Sequence, residues 1–123
     1  MSLRNEGLRW LEAHYGSLSG PKHVSKFYPP DESWTKKPAW AFEIAAAELD
    51  VTHEDLHLLC QREESPNEFH YLRIPSSYLI EHRSGLYFRE ERGTFSLFLS
   101  AEPNLQFSEV RGNGNIRFDI FLQ

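Results

Sequence analysis

Cysteine is almost absent from this chain, which has a single one, Cys60, among 123 residues. A lone cysteine cannot form an internal disulfide, so the sequence argues against a small secreted fold held by disulfides and favours a reducing compartment. The chain also lacks a run of about 18 apolar residues, so we expect no membrane-spanning helix and no membrane partner. Its first residues lack the apolar stretch of a signal peptide, which favours a cytoplasmic protein.

Lysine is also scarce and is unevenly placed. The chain has four lysines, and all of them lie between positions 22 and 37. The whole chain carries a net charge of −5, which disfavours a general nucleic-acid coat protein. Within positions 22–37 only Asp31 and Glu32 oppose the lysines, so this segment is +2 and the remainder is −7.

The lysine segment is interleaved with aromatic residues, and this combination predicts a binding site. Lysines neutralise phosphates and aromatic rings stack on unpaired bases. The sequence therefore predicts a binding or interaction module, accessory to nucleic-acid processing, whose partner is single-stranded nucleic acid or another phosphate-bearing ligand. The alternative is a solvated loop whose lysines offset neighbouring acids. The predicted ligand-binding residues are Lys22, Lys26, Lys36, Lys37, Trp34 and Trp40.

Hydrophobic patterning predicts an α+β fold in one domain spanning residues 1–123. Apolar residues at three- and four-residue spacing predict a helix over 4–15, and alternation predicts a strand over 40–44 that runs into a helical turn. A short helix is expected over 75–83, and Gly112-Asn113-Gly114 predicts a hairpin tip. Further strands are expected over 23–28, 56–62, 69–74, 95–99 and 116–122. We therefore expect an N-terminal helix on a mostly antiparallel sheet, a second short helix and a β-rich C-terminal third.

The hairpin formed by 56–62 and 69–74 has two open registers. A turn on Ser65-Pro66 sets Gln61 opposite His70, whereas a turn centred on Ser65 alone pairs Arg62 with Glu68.

Residues 53–57 carry a motif for zinc. His53-Glu54-Asp55-Leu56-His57 resembles the HExxH motif of zincin metalloproteases, in which two histidines on one helix face bind zinc and the glutamate polarises a water. The resemblance implies catalysis by Glu54, and Glu81 on the short helix would be the third ligand. The alternative is a loop entering a strand, with His57 on a sheet face.

The order of elements offers a second hydrolase hypothesis. A helix bearing a glutamate, followed by antiparallel strands and another helix, resembles the restriction-endonuclease-like fold, whose members hold Mg²⁺ with a helix Glu, a strand Asp and a Glu-x-Lys. Carried over by position, Glu12 or Glu6 would be the helix acid and Glu43 the strand acid. In place of Glu-x-Lys the next strand has Cys60-x-Arg62 on one face and Gln61-x-Glu63 on the other. The resemblance implies metal-dependent cleavage.

Glu43 also stands out from the residues alone. Alternation places Ala41, Glu43 and Ala45 on one face of the predicted strand, so two small neighbours leave room around the carboxylate. The alternative is an exposed face, or a Glu43 that pairs with an arginine such as Arg9. Whether the protein is an enzyme is left open, and Zn or Mg is expected only under the hydrolase hypotheses. A homo-oligomer through an aromatic-rich edge is compatible with the sequence.

Overall fold

The computed structural model describes residues 2–49 and 54–123. Helix α1 spans Leu3–Tyr15, which confirms the helix predicted over 4–15. It begins where the Ser2 hydroxyl accepts a hydrogen bond from the Asn5 amide (3.1 Å), and it ends at Gly16, whose φ of 77° is in the left-handed region.

The remaining elements are short strands and helices of one or two turns. Two 3₁₀ turns, Arg83–Gly85 and Asp119–Phe121, complete the set. The strands and α-helices are β1 (Lys22–Ser25), β2 (Ala39–Ala45), α2 (Ala46–Leu49), β3 (Leu56–Gln61), β4 (Phe69–Ile74), α3 (Ser76–Glu81), β5 (Tyr87–Arg89) and β6 (Thr94–Ser100).

The strands form two three-stranded sheets. The first sheet has the order β1-β3-β4, with β1 parallel to β3 and β4 antiparallel to it; the second has the order β2-β6-β5 and is antiparallel throughout. The sheets meet where the Ala41 amide of β2 donates to Ser25 Oγ of β1 (2.9 Å). The result is an α+β fold of mostly antiparallel strands, as the sequence predicts, although the single sheet expected is divided into two.

The main core lies between the two sheets. Inward side chains of β2 and β6 pack with those of β3 and β4, and Leu79 of α3 joins them. Helix α1 covers the opposite face of the first sheet, where Leu11 packs against Leu59 and Tyr71. The first sheet is therefore covered on both faces, which explains why β3 is buried along nearly its whole length.

The hairpin of β3 and β4 has the register centred on Ser65. Gln61 pairs with Phe69, and the Arg62 amide donates to the Glu68 carbonyl oxygen at 2.9 Å. The Ser65-Pro66 register is therefore wrong, and the one realised avoids placing Glu63 opposite Glu68.

The strand predicted over 116–122 is wrong, because this segment forms only isolated antiparallel bridges, such as that between Arg117 and Ser108. Ile116 and Phe118 are buried as alternation requires, but the chain then enters the 3₁₀ turn of Asp119–Phe121, which leaves Ile120 64% exposed. The hairpin tip at Gly112-Asn113-Gly114 is confirmed, since the Glu109 amide donates to the Ile116 carbonyl oxygen at 2.8 Å. Across residues 2–49 and 54–123, no helix has the length and apolarity needed to cross a membrane.

Candidate binding site

Helix α1 covers the first sheet, whereas within residues 2–49 and 54–123 no helix lies across the outer face of the second sheet, the face turned away from the core. Strand alternation directs Trp40, Phe42 and Ile44 inward, so Ala41 and Glu43 lie on the outer face. On β6 the alternation places Phe98 outward between two serines, and Tyr87 of β5 pairs with one of them, Ser96. Small residues on β2 beside aromatic residues on β5 and β6 make this face a shallow trough.

Four side chains on this face form a cluster, here named the arginine–aromatic cluster: Trp34, Tyr87, Phe98 and Arg111. The guanidinium carbon of Arg111 lies 4.3 Å from the ring centroid of Tyr87, 4.9 Å from that of Trp34 and 5.2 Å from that of Phe98. Trp34 and Phe98 meet edge to face, with centroids 5.6 Å apart. Stacked aromatic rings attract a guanidinium and hold it in one orientation.

The charge of Arg111 has no acidic partner within the described part of the chain. Its side chain makes one hydrogen bond there, from Nη1 to Ser96 Oγ at 3.0 Å, and its buried Nε has no partner. The carboxylate nearest in sequence, Glu109, is occupied by backbone amides. A guanidinium that is fixed but not neutralised is suited to pair with a carboxylate or phosphate from a ligand.

Glu109 holds the turn that carries Arg111. It is only 4% exposed, yet its carboxylate accepts three backbone hydrogen bonds. Oε2 accepts from the amides of Phe98 (2.8 Å) and Arg111 (3.2 Å), and Oε1 accepts from that of Gly112 (2.7 Å). On this side, β6 pairs with β5 near its start and with the 107–110 segment near its end. The Phe98 amide lies between these two stretches, and the Glu109 carboxylate satisfies it.

The Trp34 loop, residues 29–38, forms one wall of the trough. Tyr28 and Ala39 exchange two backbone hydrogen bonds at its base (2.9 and 3.1 Å), which close the loop. Trp34 is 65% exposed at this wall, and the exposed residues Lys36 and Lys37 follow it. A cavity of about 200 Å³ lies between this loop and β2, and a second of about 230 Å³ lies between Lys37 and Val110.

Glu43 lies on the same outer face, farther along β2. Its carboxylate accepts hydrogen bonds from Arg89 Nη1 (2.7 Å) and Thr94 Oγ1 (2.6 Å). Partial burial acts to raise the pKa of Glu43, but these two hydrogen bonds and the charges of Arg89 and Arg92 outweigh it and lower the pKa. Glu43 is therefore a paired carboxylate on an exposed face, with Arg89 as its partner and not Arg9.

The predicted ligand-binding residues divide between the two sheets. Trp34, Lys36 and Lys37 lie on the Trp34 loop beside the trough. Lys26 is exposed and donates to Glu32 Oε1 at 3.2 Å. Lys22 is half-buried on β1 and donates to the Gly20 carbonyl oxygen, so it belongs to the first sheet.

The prediction that Trp40 binds a ligand is wrong. Trp40 is 2% exposed, it stacks on Phe107, and its Nε1 donates to the Gln61 carbonyl oxygen at 2.8 Å, so it belongs to the core. Trp40 lies on the inward face of β2, because the alternation of that strand places it on the same side as Phe42 and Ile44.

The carboxylates of the nuclease-like hypothesis are not brought together. Glu12 is on α1, outside the first sheet, whereas Glu43 is on the outer face of the second sheet, with the core between them. Gln61 has a structural role, because its Oε1 accepts from the Phe27 amide (3.0 Å) and its Nε2 donates to the Pro66 carbonyl oxygen (3.2 Å). Glu54 lies in the coil before β3.

The zinc motif does not form a helix where it is described. His53 lies outside the described residues, residues 54 and 55 are coil, and His57 is on β3. His57 is 1% exposed and both of its ring nitrogens are bonded. Nε2 donates to the Ser19 carbonyl oxygen (2.7 Å), which can only accept, so Nδ1 accepts from the Tyr71 hydroxyl (2.6 Å).

The proposed third zinc ligand, Glu81, is the last residue of α3. Within residues 2–49 and 54–123, no group of three or more His, Cys, Asp or Glu side chains is arranged to hold a metal ion. The predicted ligands Glu81 and His57 therefore do not form such a group there.

Sequence reasoning missed Arg111, Tyr87 and Glu109. Phe98 did carry a signal, since it is a large aromatic residue on the face of β6 where its neighbours are Ser96 and Ser100. Arg111 gives no comparable signal, because its position depends on a turn and on the buried Glu109 carboxylate.

No protein-family model, curated protein or solved structure matches this chain.

Proposed function

We propose that this domain is a binding module for single-stranded nucleic acid and that its ligand lies on the outer face of the second sheet. The observation that carries the proposal is an arginine without an acidic partner, fixed among aromatic rings beside the exposed Trp34. A single nucleic-acid strand offers a protein both charged phosphates and unpaired bases. The guanidinium of Arg111 is suited to the first, and the ring of Trp34 to the second.

The surroundings support a strand-like ligand. Lys36 and Lys37 are exposed on the Trp34 loop and add positive charge close to the arginine–aromatic cluster. Their attraction for phosphates does not depend on base sequence. Ala39 and Ala41 are small and line the cavity beside the Trp34 loop, so a base can approach β2 there. Aromatic residues on the exposed face of a small sheet are a common means of holding unstacked bases.

The rival function, a metal-dependent hydrolase, has no comparable support in the described residues. It requires converging carboxylates or imidazoles, and Glu12, Glu43 and His57 lie in different layers of the fold. Binding by the outer face therefore remains the function that the geometry favours.

The proposal is tested by fluorescence anisotropy of a labelled single-stranded oligonucleotide at low salt. We expect binding that weakens steadily as salt rises, and Trp34→Ala should reduce affinity by roughly 5- to 100-fold, as the loss of one stacked base does. The matched control is Arg117→Ala, which removes a positive charge from an exposed arginine paired with Asp119. We expect it to change affinity by less than about twofold.

Two results would contradict the proposal. One is the absence of binding at low salt, where electrostatic attraction is strongest. The other is an equal loss of affinity in Trp34→Ala and Arg117→Ala, which would show that the protein attracts the oligonucleotide by charge and has no defined binding site for it. If an acidic, aromatic peptide displaces the oligonucleotide at equal concentration, the ligand is a protein segment and the nucleic-acid proposal fails.

A further inference from the structure

The cavity of about 200 Å³ beside the Trp34 loop has a size and lining that suit one planar ring. It is lined by Ala39 and Ala41 of β2 and by the aromatic residues Tyr28, Trp34 and Phe98. Pockets that enclose a whole small-molecule ligand usually measure about 300–1,000 Å³, so this one suits a single ring system whose remainder lies outside. A nucleobase attached to a strand meets that description.

The lining also contains one charged group. Glu32 lies on the Trp34 loop and is exposed at the cavity. Its Oε1 accepts from Lys26 Nζ at 3.2 Å, and Lys26 itself lies over the Tyr28 ring, 4.8 Å from the centroid. Oε2 of Glu32 has no hydrogen-bond partner within the described residues, so one carboxylate oxygen is available to a ligand.

A carboxylate can accept hydrogen bonds but cannot donate them. The exocyclic amino groups of cytosine and adenine are donors, whereas thymine and uracil present a carbonyl oxygen at the corresponding position. A carboxylate that faces the exocyclic position therefore favours cytosine and adenine, which place a donor there, over thymine and uracil, which place an acceptor there. Ser33 in the lining is already engaged with Thr35. The Tyr28 hydroxyl can both donate and accept, so it does not by itself distinguish amino-bearing bases from thymine or uracil.

We propose that this cavity receives one unpaired base and that Glu32 makes the site prefer cytosine or adenine to thymine or uracil. The inference rests on the proposed function, because it assigns the base that a bound strand inserts beside Trp34. It adds a specificity-determining residue outside the arginine–aromatic cluster.

The test compares homopolymeric oligonucleotides of equal length, oligo-dC, oligo-dA and oligo-dT, by anisotropy at one low salt concentration. We expect the wild-type chain to bind oligo-dC and oligo-dA about fivefold more tightly than oligo-dT, the lower end of the discrimination given by a direct base contact. Glu32→Ala should bring the ratio of affinities to about one. Because removing an acid strengthens binding to any polyanion, the ratio is the diagnostic quantity.

Glu102→Ala is the matched control, since Glu102 lines the neighbouring cavity and its removal changes the net charge equally. We expect it to preserve the dC-to-dT ratio. A wild-type ratio near one, or a ratio unchanged in Glu32→Ala, would overturn the base preference. If binding is then still lost in Trp34→Ala, the proposed function stands without this subsite, whereas failure of all three oligonucleotides to bind overturns both.

Discussion

The guanidinium of Arg111 lies between the rings of Tyr87 and Trp34, with its carbon 4.3 Å and 4.9 Å from their centroids. These residues come from a loop before β2, from β5 and from the turn after residue 110. Three distant parts of the chain therefore meet to fix one cation on the outer face of the second sheet. Because that cation has no acidic partner in the described chain, its electrostatic complement must come from a ligand or from solvent.

The first prediction concerns Glu109. We expect Glu109→Gln to lower the free energy of unfolding by about 1–3 kcal/mol, because one carboxylate oxygen is replaced by an amide nitrogen that cannot accept a backbone hydrogen bond. Urea denaturation measures the change. The control is Glu102→Gln, because the Glu102 carboxylate accepts no backbone hydrogen bond within the described residues. Its free energy of unfolding should stay within about 0.5 kcal/mol of the wild-type value. Equal stability of Glu109→Gln and wild type would show that the three amides do not depend on this carboxylate.

The second prediction concerns the pH dependence of stability. Burial lowers the pKa of His57 below its usual 6.5, and the charges of Lys22 and Arg73 lower it further against the raising effect of the Ser19 hydrogen bond. The folded state therefore binds this proton more weakly than the unfolded state. The free energy of unfolding should be fully retained above the unfolded pKa and should fall as the pH drops through the folded one.

His57→Gln tests that assignment, because glutamine can accept from Tyr71 and donate to Ser19 without titrating. In urea denaturation between about pH 7.5 and pH 5.5, we expect a shallower decline in the variant. Some decline should remain, since burial also lowers the pKa of His70. A decline as steep as that of wild type would assign the pH dependence to other groups.

The third prediction compares two glycines that both have a positive φ. Gly20 has a φ of 107°, and a Cβ there would lie 2.3 Å from the Asp55 carbonyl oxygen; Gly16 has a φ of 77° and nothing within 4 Å. Gly16→Ala should therefore cost only the backbone strain, about 1–2 kcal/mol, while Gly20→Ala adds a collision with backbone and should be distinctly less stable. Thermal unfolding gives the comparison, and equal melting temperatures would contradict the close packing at Gly20.

The sequence predicts those parts of the fold that follow from local sequence patterns. The apolar residues of helix α1 recur with the helical period, the large ones of β2 recur at every second position, and β3 and β4 are short, largely apolar runs on either side of a turn. The segment over 116–122 has an equally good alternation, yet Asp119 begins a 3₁₀ turn there. Its alternation holds only as far as Phe118, because the 3₁₀ turn then exposes Ile120 and packs Phe121 against the core, so tertiary packing decided the outcome.

The candidate site was predictable only in part. Trp34 and its neighbouring lysines stand out as a basic, aromatic segment, whereas Trp40 in the same segment is buried because strand alternation turns it inward. Arg111 could not have been assigned from the sequence. Its place depends on the Glu109 carboxylate, on a glycine turn packed against Gly85, and on pairing between segments far apart in the chain.

The central claim is that a nucleic-acid strand binds the outer face of the second sheet, and the indole N–H signals of the three tryptophans test it most directly. In a ¹H–¹⁵N spectrum, we expect a single-stranded oligonucleotide added at low salt to shift the signal of Trp34. The signal of Trp40, whose indole nitrogen is bound to Gln61 in the core, should stay in place. An unmoved Trp34 signal at saturating oligonucleotide would contradict the account.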